Sequence, residues 1–120
     1  MKLGKAKKAK KLSISEKTIE TSIIGYLRHS GVLCFKVENG GVFDQKRGAF
    51  RFNRGTRYLG IPDILGIFKG QPLAIEVKSA KGRLSEHQAS FLQDWANHGG
   101  IALVARSVED VIEALKLKTK

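Results

Sequence analysis

Three charged residues lie in two segments whose other residues suit β-strands. Asp63 begins DILGIF, Glu76 and Lys78 lie in LAIEVKS, and a turn-like KGQP separates the two segments. Side chains alternate along a strand, so Glu76 and Lys78 project from the same face. If the segments form an antiparallel hairpin, Asp63 lies broadly opposite them. Charged groups in such a place are costly unless something binds them.

The chemistry that these three residues could do is phosphodiester hydrolysis. Two neighbouring carboxylates repel each other unless a cation lies between them, and oxygen ligands select a hard ion, Mg²⁺ or Mn²⁺. Lys78 could hold the scissile phosphate, orient or deprotonate a water, and offset charge in the transition state. The alternative is structural: Glu76 and Lys78 form the exposed face of an edge strand, and Asp63 is a turn residue. The spacing alone leaves both interpretations open.

A third acid is predicted from the first helix. SISE at residues 13–16 has the spacing of a capping box, and apolar residues follow at helical intervals, which predicts a helix over about residues 14–30. Steps of about 100° per residue place Glu20 on the apolar stripe of this helix, where an acid needs a partner. We therefore predict that Glu20 supplies a third carboxylate, either to a second ion or to a metal-bound water. Glu16 lies on the same side, but the capping box accounts for it.

The other segments predict one α/β domain with a central mixed sheet flanked by helices. SEHQ at residues 85–88 has capping-box spacing and opens a second helix, in which Phe91 and Trp95 are predicted to lie in the core. IALVAR at 101–106 is apolar throughout and predicts a strand buried on both faces. With a strand over residues 32–38 and a last helix that begins after Ser107, the predicted order is α, β, β, β, α, β, α.

Residues 36–60 alternate basic and aromatic side chains over a connection that is long for a small domain. One interpretation is a β-hairpin or loop whose aromatic residues fold back on the core. The other is a surface that holds a nucleic-acid backbone and stacks on an unpaired base. The candidate nucleic-acid-binding residues are Lys46, Arg47, Arg51, Arg54 and Arg57, together with Lys81 and Arg83 after the second strand.

The charge of the chain points to a polyanionic partner. The formal net charge is +11 over 120 residues, and six lysines lie in the first eleven. This pattern suits non-specific attraction to nucleic-acid phosphates. We predict a basic, disordered arm over residues 1–12 and a folded domain over residues 13–120.

Other classes of protein are excluded or disfavoured by the composition. The sequence has neither a membrane-spanning apolar run nor a signal-type apolar stretch, and Cys34, the only cysteine, has no partner for an intramolecular disulfide. We therefore expect the protein in the cytoplasm of a bacterium or a phage-infected host cell. The three histidines, at positions 29, 87 and 98, are not at ligand spacing, which disfavours a zinc site.

Several motifs together resemble one nuclease family. These are ENGG at 38–41, GIPDIL, AIEVKSAKGRLSEHQASF and HGGIALVARSVEDV. They resemble the virus-type replication-repair nuclease (VRR-NUC) domain of the PD-(D/E)xK superfamily, in its stand-alone phage and bacterial form, from about Ser15 to Leu115. The predicted element order is likewise similar to the αβββαβ core of restriction-endonuclease-like proteins.

The resemblance implies a metal-dependent, structure-selective DNA endonuclease. Its substrate would be branched DNA such as Holliday junctions, in replication, repair or recombination, and its metal Mg²⁺ or Mn²⁺. Asp63 and Glu76 would be the metal carboxylates, the Val77 carbonyl a further ligand, and Lys78 the catalytic lysine. Glu20 matches the acid of the first helix in similar junction resolvases. Gln88 resembles a family glutamine near the active site, although a role in the helix cap competes with this.

Partners follow from the same resemblance. Paired cuts in a nearly two-fold junction predict a two-fold homodimer, with Trp95 or the exposed face of the last helix as candidate interfaces. Two other classes of function stay open: a non-catalytic nucleic-acid-binding module, and a domain that positions DNA for a helicase encoded elsewhere.

Overall fold

A computed structural model describes residues 14–38, 42–44, 46, 49–51 and 58–117. The predicted arm at residues 1–12, and Arg47, Arg54 and Arg57, lie outside these described residues. The helices are α1 (Glu16–His29), α2 (Glu86–Asn97) and α3 (Val108–Leu115). The strands are β1 (Leu33–Lys36), β2 (Val42–Asp44), β3 (Ala49–Arg51), β4 (Ile64–Phe68), β5 (Gln71–Val77) and β6 (Ile101–Ala105).

The central sheet has four strands in the order β1-β4-β5-β6. The pairs β1/β4 and β4/β5 are antiparallel, whereas β5/β6 is parallel. This confirms the predicted mixed sheet of an α/β fold. Between β1 and β4 the chain forms a separate antiparallel pair, β2/β3, in which Val42 lies opposite Arg51. The backbone of the long basic segment therefore includes a β-hairpin.

One face of the sheet carries the apolar core. Ile19, Ile23 and Leu27 follow one another at every fourth position of α1, so they form a stripe that packs on the sheet. α3 adds Val111 and Leu115 to the same cluster. The strand residues of this core alternate along the chain, as expected for side chains that share one face of a sheet: Cys34, Ile64, Leu73, Ile75, Val77 and Ala105.

The opposite face is covered only in part, by α2. Leu92 is buried, but Phe91 and Trp95 are half-buried and lie outside the core cluster. β6 is an edge strand, and Val104 remains 38% exposed. The predictions of core positions for Phe91 and Trp95, and of a strand buried on both faces, are therefore wrong. Both predictions of burial are wrong because α2 covers only part of the sheet face that lies opposite the core. No helix in the described residues is long and apolar enough to cross a membrane.

Candidate active site

The register of β4 and β5 brings Asp63 next to Glu76. Ile64 pairs with Ile75, so the residue before β4 lies beside the residue after Ile75. Asp63 Oδ2 accepts a hydrogen bond of 2.8 Å from the Val77 N–H, and the Asp63 carbonyl accepts one of 2.8 Å from the Val37 N–H. The carboxylate is therefore fixed against the end of β5, as the hairpin pattern predicted.

Glu76 is a buried acid with one unsatisfied oxygen. Only 3% of its surface is exposed. Its Oε2 accepts a hydrogen bond of 2.9 Å from Gln88 Nε2 and lies 3.7 Å from Lys78 Nζ. Its Oε1 has no hydrogen-bond partner among the described residues. Burial raises the pKa of the Glu76 carboxyl to about 7; the negative charge of Asp63 adds to this, and Lys78 opposes it.

Because β5 lies between β4 and β6, it is not an edge strand. The side chain of Lys78 is only 12% exposed. The structural alternative for Glu76 and Lys78, the exposed face of an edge strand, is therefore wrong. Burying a carboxylate beside a second carboxylate costs stability, so a functional reason for the arrangement is needed.

The residues present fit a hard divalent cation. A buried, unpartnered carboxylate oxygen beside a second carboxylate is a place where a cation lowers the free energy. The described residues contain no group of three or more His, Cys, Asp or Glu side chains that could hold a metal. Mg²⁺ does not require one, because it commonly binds through one or two carboxylates and keeps several waters. The carboxylates of Asp63 and Glu76 match that donor set.

Gln88 forms the predicted helix cap and also contacts Glu76. Its backbone N–H donates to Ser85 Oγ at 3.1 Å, and its Oε1 accepts from the Ser85 N–H at 2.9 Å, which completes the predicted capping box of α2. With Oε1 committed to the cap, Nε2 is oriented toward Glu76. The cap therefore positions the amide that holds Glu76.

The acid of α1 that reaches this site is Glu16. The N-cap of α1 is Ser15, whose Oγ accepts from the Thr18 N–H at 3.2 Å, so the predicted capping role of Glu16 is wrong. The helix begins later than predicted, and Glu16 is its first residue rather than the third. Glu16 Oε2 instead accepts a 3.2 Å hydrogen bond from the Ser79 N–H, and its charge contributes to the raised pKa of Glu76.

Glu20, one turn further along α1, has a different partner. It is 9% exposed, and its Oε2 lies 3.5 Å from Lys36 Nζ. The apolar position of Glu20 predicted that its carboxylate would need a partner. That partner is Lys36 of β1. The helical spacing places Glu16 on the same side of the helix as Glu20, but Glu16 was set aside because it was assigned to the capping box.

Arg106 holds the loop that follows Lys78. Its Nη1 donates to the carbonyls of Ser79 at 2.5 Å, Gly82 at 2.8 Å and Ala80 at 3.4 Å. This loop carries Lys81, and Arg83 follows it; both are exposed beside the site. Lys46 is also exposed, and Arg51 lies in β3. Arg106 lies within the quoted segments IALVAR and HGGIALVARSVEDV, but neither pattern assigned it a role.

We expect Arg106→Ala to loosen this loop and Arg83→Ala to leave it ordered. The Gly82 N–H donates to the Ser79 carbonyl at 3.1 Å inside the loop, so its hydrogen exchange reports loop order. Exchange at Gly82 should accelerate by about tenfold or more in Arg106→Ala, because three carbonyl contacts are lost. Arg83→Ala is the matched control, since it removes an exposed cation from the same region. Equal exchange in both variants would contradict the role of Arg106.

Gly60 lets the chain before Asp63 approach α2 closely. Its φ is +78°, and a Cβ atom there would lie 2.3 Å from the His87 carbonyl oxygen. We expect Gly60→Ala to lower the free energy of unfolding by about 2–4 kcal/mol, from backbone strain plus a backbone clash. Gly99→Ala is the control, because Gly99 has φ +93° but open space around it, and should cost only about 1 kcal/mol. Urea unfolding measures both, and equal losses would refute the close approach.

The mixed sheet, with an aspartate before one strand and a Glu-x-Lys at the end of the next, defines a restriction-endonuclease-like fold. Within that class, the sequence profile of the VRR-NUC domain matches residues 43–109, more than half of the chain. The chain therefore belongs to the VRR-NUC family, as its motifs predicted, and is a nuclease-type domain.

A comparison with solved structures agrees on the fold. A chain described as a VRR_NUC domain protein superposes with a TM-score of 0.61 at 18% sequence identity, and the match covers 87% of each chain. At this identity the likeness concerns the fold alone. A comparison with curated proteins gave no match.

Proposed function

We propose that this protein is a Mg²⁺- or Mn²⁺-dependent endonuclease that cleaves branched DNA, such as Holliday junctions, as a homodimer. The observation that carries the proposal is the buried carboxylate of Glu76, which has an unpartnered oxygen and lies between Asp63 and Lys78. An arrangement that costs stability is explained if it binds a cation and a phosphate during the reaction.

The metal would be held by Asp63, Glu76 and the carbonyl of Val77, and when bound it polarises the phosphate and lowers the pKa of a water. Lys78 places its Nζ 3.7 Å from the Oε2 atom of Glu76. In this position it orients a phosphate oxygen and offsets the negative charge that develops when water attacks phosphorus.

The neighbouring residues keep the reacting groups in place. Gln88 fixes the rotation of the Glu76 carboxylate through its 2.9 Å hydrogen bond. Glu16 holds the Ser79 N–H, which fixes the backbone directly after Lys78. It is the acid of α1 with a contact to the loop after Lys78, so we assign it the positioning role of the first helix in place of Glu20.

Binding of DNA is attributed to the positive charge of the chain. Lys81 and Arg83 are exposed close to Lys78, and the formal net charge is +11. Such cations bind phosphates without reading sequence, which suits selection by the shape of the DNA. Lys46, Arg47, Arg51, Arg54 and Arg57 remain predicted contributors to this surface.

Cleavage of end-labelled DNA tests the proposal. Four-way junction, splayed-arm and plain duplex substrates would be incubated with the protein in Mg²⁺, in Mn²⁺ and in EDTA. We expect metal-dependent cutting of the branched substrates, with symmetric nicks in the junction. Salt-sensitive binding without cleavage under any condition would favour a non-catalytic binding module. Cleavage that needs an added helicase would favour a partner-dependent domain.

A further inference from the structure

A groove lined by aromatic side chains lies beside the candidate active site. It runs between α2 and the sheet face that carries Glu76, and it encloses about 490 Å³. Phe91 and Trp95 of α2 stack with ring centroids 5.7 Å apart, and Tyr58 meets Phe91 edge-on at 5.8 Å. Pockets that hold small organic ligands have volumes of about 300–1,000 Å³, so the groove is large enough for a ligand of this kind.

The aromatic rings of the groove are held in place by the protein itself. Trp95 Nε1 donates a hydrogen bond of 3.3 Å to the Pro72 carbonyl, which fixes the angle of the indole. Gly100 lies so close to this ring that a Cβ atom there would be 2.5 Å from Trp95 Cδ1. Phe91 is only half-buried, and Tyr58 is 69% exposed. The rings therefore remain accessible to a ligand, and little ordering is needed when one binds.

The groove is close to the carboxylates of the candidate active site. Leu65, in its lining, pairs with Ala74, and Ala74 is two residues before Glu76 on the same face of β5. The rise between Ala74 and Glu76 is about 7 Å, or about two steps along one strand of B-DNA. On α2, Gln88 holds Glu76, and Phe91 follows about one turn later on the same side. A nucleotide within two positions of a phosphate at Glu76 can therefore place its base in the groove.

The polar groups of the groove determine what it can hold. Its described lining contains no lysine or arginine, so it does not suit a phosphate. Asp94 offers a carboxylate, which when ionised only accepts hydrogen bonds. His98 Nδ1 lies 2.8 Å from the Asp94 carbonyl, so Nδ1 donates and Nε2 of the neutral ring is an acceptor as well. Aromatic surfaces and acceptors together suit a flat, uncharged ring that carries N–H donors.

Nucleobases are rings of this kind. They stack on aromatic side chains whatever their sequence, and adenine, cytosine and guanine carry an exocyclic amino group that thymine lacks. A base inside a duplex is already stacked and paired, so only an unpaired base can enter the groove. Cations for the backbone lie next to the groove: Lys81 and Arg83 are exposed in the segment that leads into α2.

We propose that this groove binds one unpaired base of the DNA substrate, from a nucleotide within two positions of the scissile phosphate, and that Asp94 favours bases with an amino group over thymine. The proposal rests on the proposed function in that its ligand is DNA, but binding of the base does not require cleavage. Unpaired bases occur where DNA strands separate. The groove therefore adds a preference for branch points with an unpaired nucleotide to the selection by shape.

Trp95 fluorescence tests the groove, because Trp95 is the only tryptophan. Short single strands of deoxycytidine, titrated into the protein in EDTA, should quench the emission. A fully abasic strand of equal length keeps the phosphates, and it should bind at least about tenfold more weakly without quenching. A thymidine strand should bind at least about fivefold more weakly than the deoxycytidine strand.

Variants of the lining assign the contacts. We expect Tyr58→Ala and Phe91→Leu each to weaken binding of the deoxycytidine strand by about five- to tenfold, with unchanged circular dichroism spectra. Asp94→Ala should bind the deoxycytidine and thymidine strands equally. Ile14→Ala is the matched control and should behave as wild type. Ile14 is 59% exposed and precedes α1, which packs on the other face of the sheet.

Equal binding of abasic and base-bearing strands, with constant Trp95 emission, would overturn the proposal, as would wild-type affinity in both Tyr58→Ala and Phe91→Leu. Equal affinity of wild type for the deoxycytidine and thymidine strands would overturn the role of Asp94. Trp95 emission that changes with protein concentration in the absence of DNA would overturn the base site and assign the groove to a contact between protein molecules.

These outcomes are separate from those for the proposed function. A protein that binds bases in the groove but cuts nothing refutes only the nuclease. A protein that cuts branched DNA but binds abasic and base-bearing strands equally refutes only the base site.

Discussion

Lys78→Met is expected to reduce metal-dependent cleavage of branched DNA by about 10²–10³-fold, with little change in junction binding. Methionine keeps much of the volume of the lysine stem but removes the charge that lies 3.7 Å from Glu76 Oε2. The loss should appear in kcat, because the charge of Lys78 matters most when negative charge develops at phosphorus. Single-turnover cleavage and a binding titration in Ca²⁺ or EDTA separate the two quantities.

A matched variant removes the same charge far from the site. Lys69 lies in the turn between β4 and β5, at the opposite end of the hairpin, with φ +50°. Lys69→Asn is suitable because asparagine tolerates this backbone conformation. It should cut junctions at the wild-type rate. Wild-type kcat in Lys78→Met would remove Lys78 from the mechanism.

The metal-free protein should become less stable as the pH rises, because the pKa of Glu76 is raised in the folded state. The pKa of Glu76 is about 7 in the folded state and 4.5 as its ordinary value. Below about pH 4.5 the carboxyl is protonated in both states, so it contributes no pH dependence. Between these two values the unfolded state loses the proton first, and the free energy of unfolding decreases by up to about 3 kcal/mol. Above about pH 7 this loss is complete.

Glu76→Gln should remove this dependence. The amide carries no charge at any pH, so the variant should be more stable than wild type by about 1–3 kcal/mol near pH 8 in EDTA. Mg²⁺ should reverse the order, because it stabilises the ionised carboxylate of the wild type and has no such effect on the variant. Urea unfolding at several pH values, with EDTA and then with Mg²⁺, measures both effects.

Two results would contradict this account. The first is an equal pH dependence in wild type and Glu76→Gln, which would assign the dependence to other groups. The second is equal stabilisation of both proteins by Mg²⁺ at about pH 8, which would mean that the ion binds elsewhere. Neither measurement requires DNA, so the stability prediction can be judged separately from cleavage.

Local patterns were sufficient to predict the centre of the site. Asp63, Glu76 and Lys78 belong to one hairpin, so the alternation of side chains and a short turn determine their proximity. Gln88 could be placed because its capping box is local as well. Their roles in catalysis and metal binding stay predictions.

The residues that join distant segments could not be predicted in the same way. The choice between Glu16 and Glu20 depends on where α1 begins and on what lies beside each acid, which includes Ser79 and Lys36 from other elements. Arg106 follows β6 and acts on a loop more than twenty residues earlier in the chain. Such contacts depend on the packing of the whole sheet.

Burial was predicted less well than secondary structure. The helical spacing of Phe91 and Trp95 correctly indicated one side of α2, and the apolar run of β6 correctly indicated a strand. How deeply these residues are buried depends on how much of the sheet the helix covers. A periodic pattern does not distinguish the core of one chain from an apolar surface that another molecule covers.

The connection between β1 and β4 has a consequence for how this protein can diversify. β1 and β4 are neighbours, and the 2.8 Å hydrogen bond from the Val37 N–H to the Asp63 carbonyl holds the two ends of the segment between them side by side. A segment whose two ends are adjacent can be lengthened, shortened or exchanged without moving the strands that flank it. Each doubling of the length of a flexible loop raises the free energy of loop closure by only about 0.6 kcal/mol. Because the last residue of the segment borders Asp63, an exchanged segment would remain next to the carboxylates of Asp63 and Glu76. New substrates could therefore be acquired by replacing one insert, while the sheet and its charged residues are inherited unchanged.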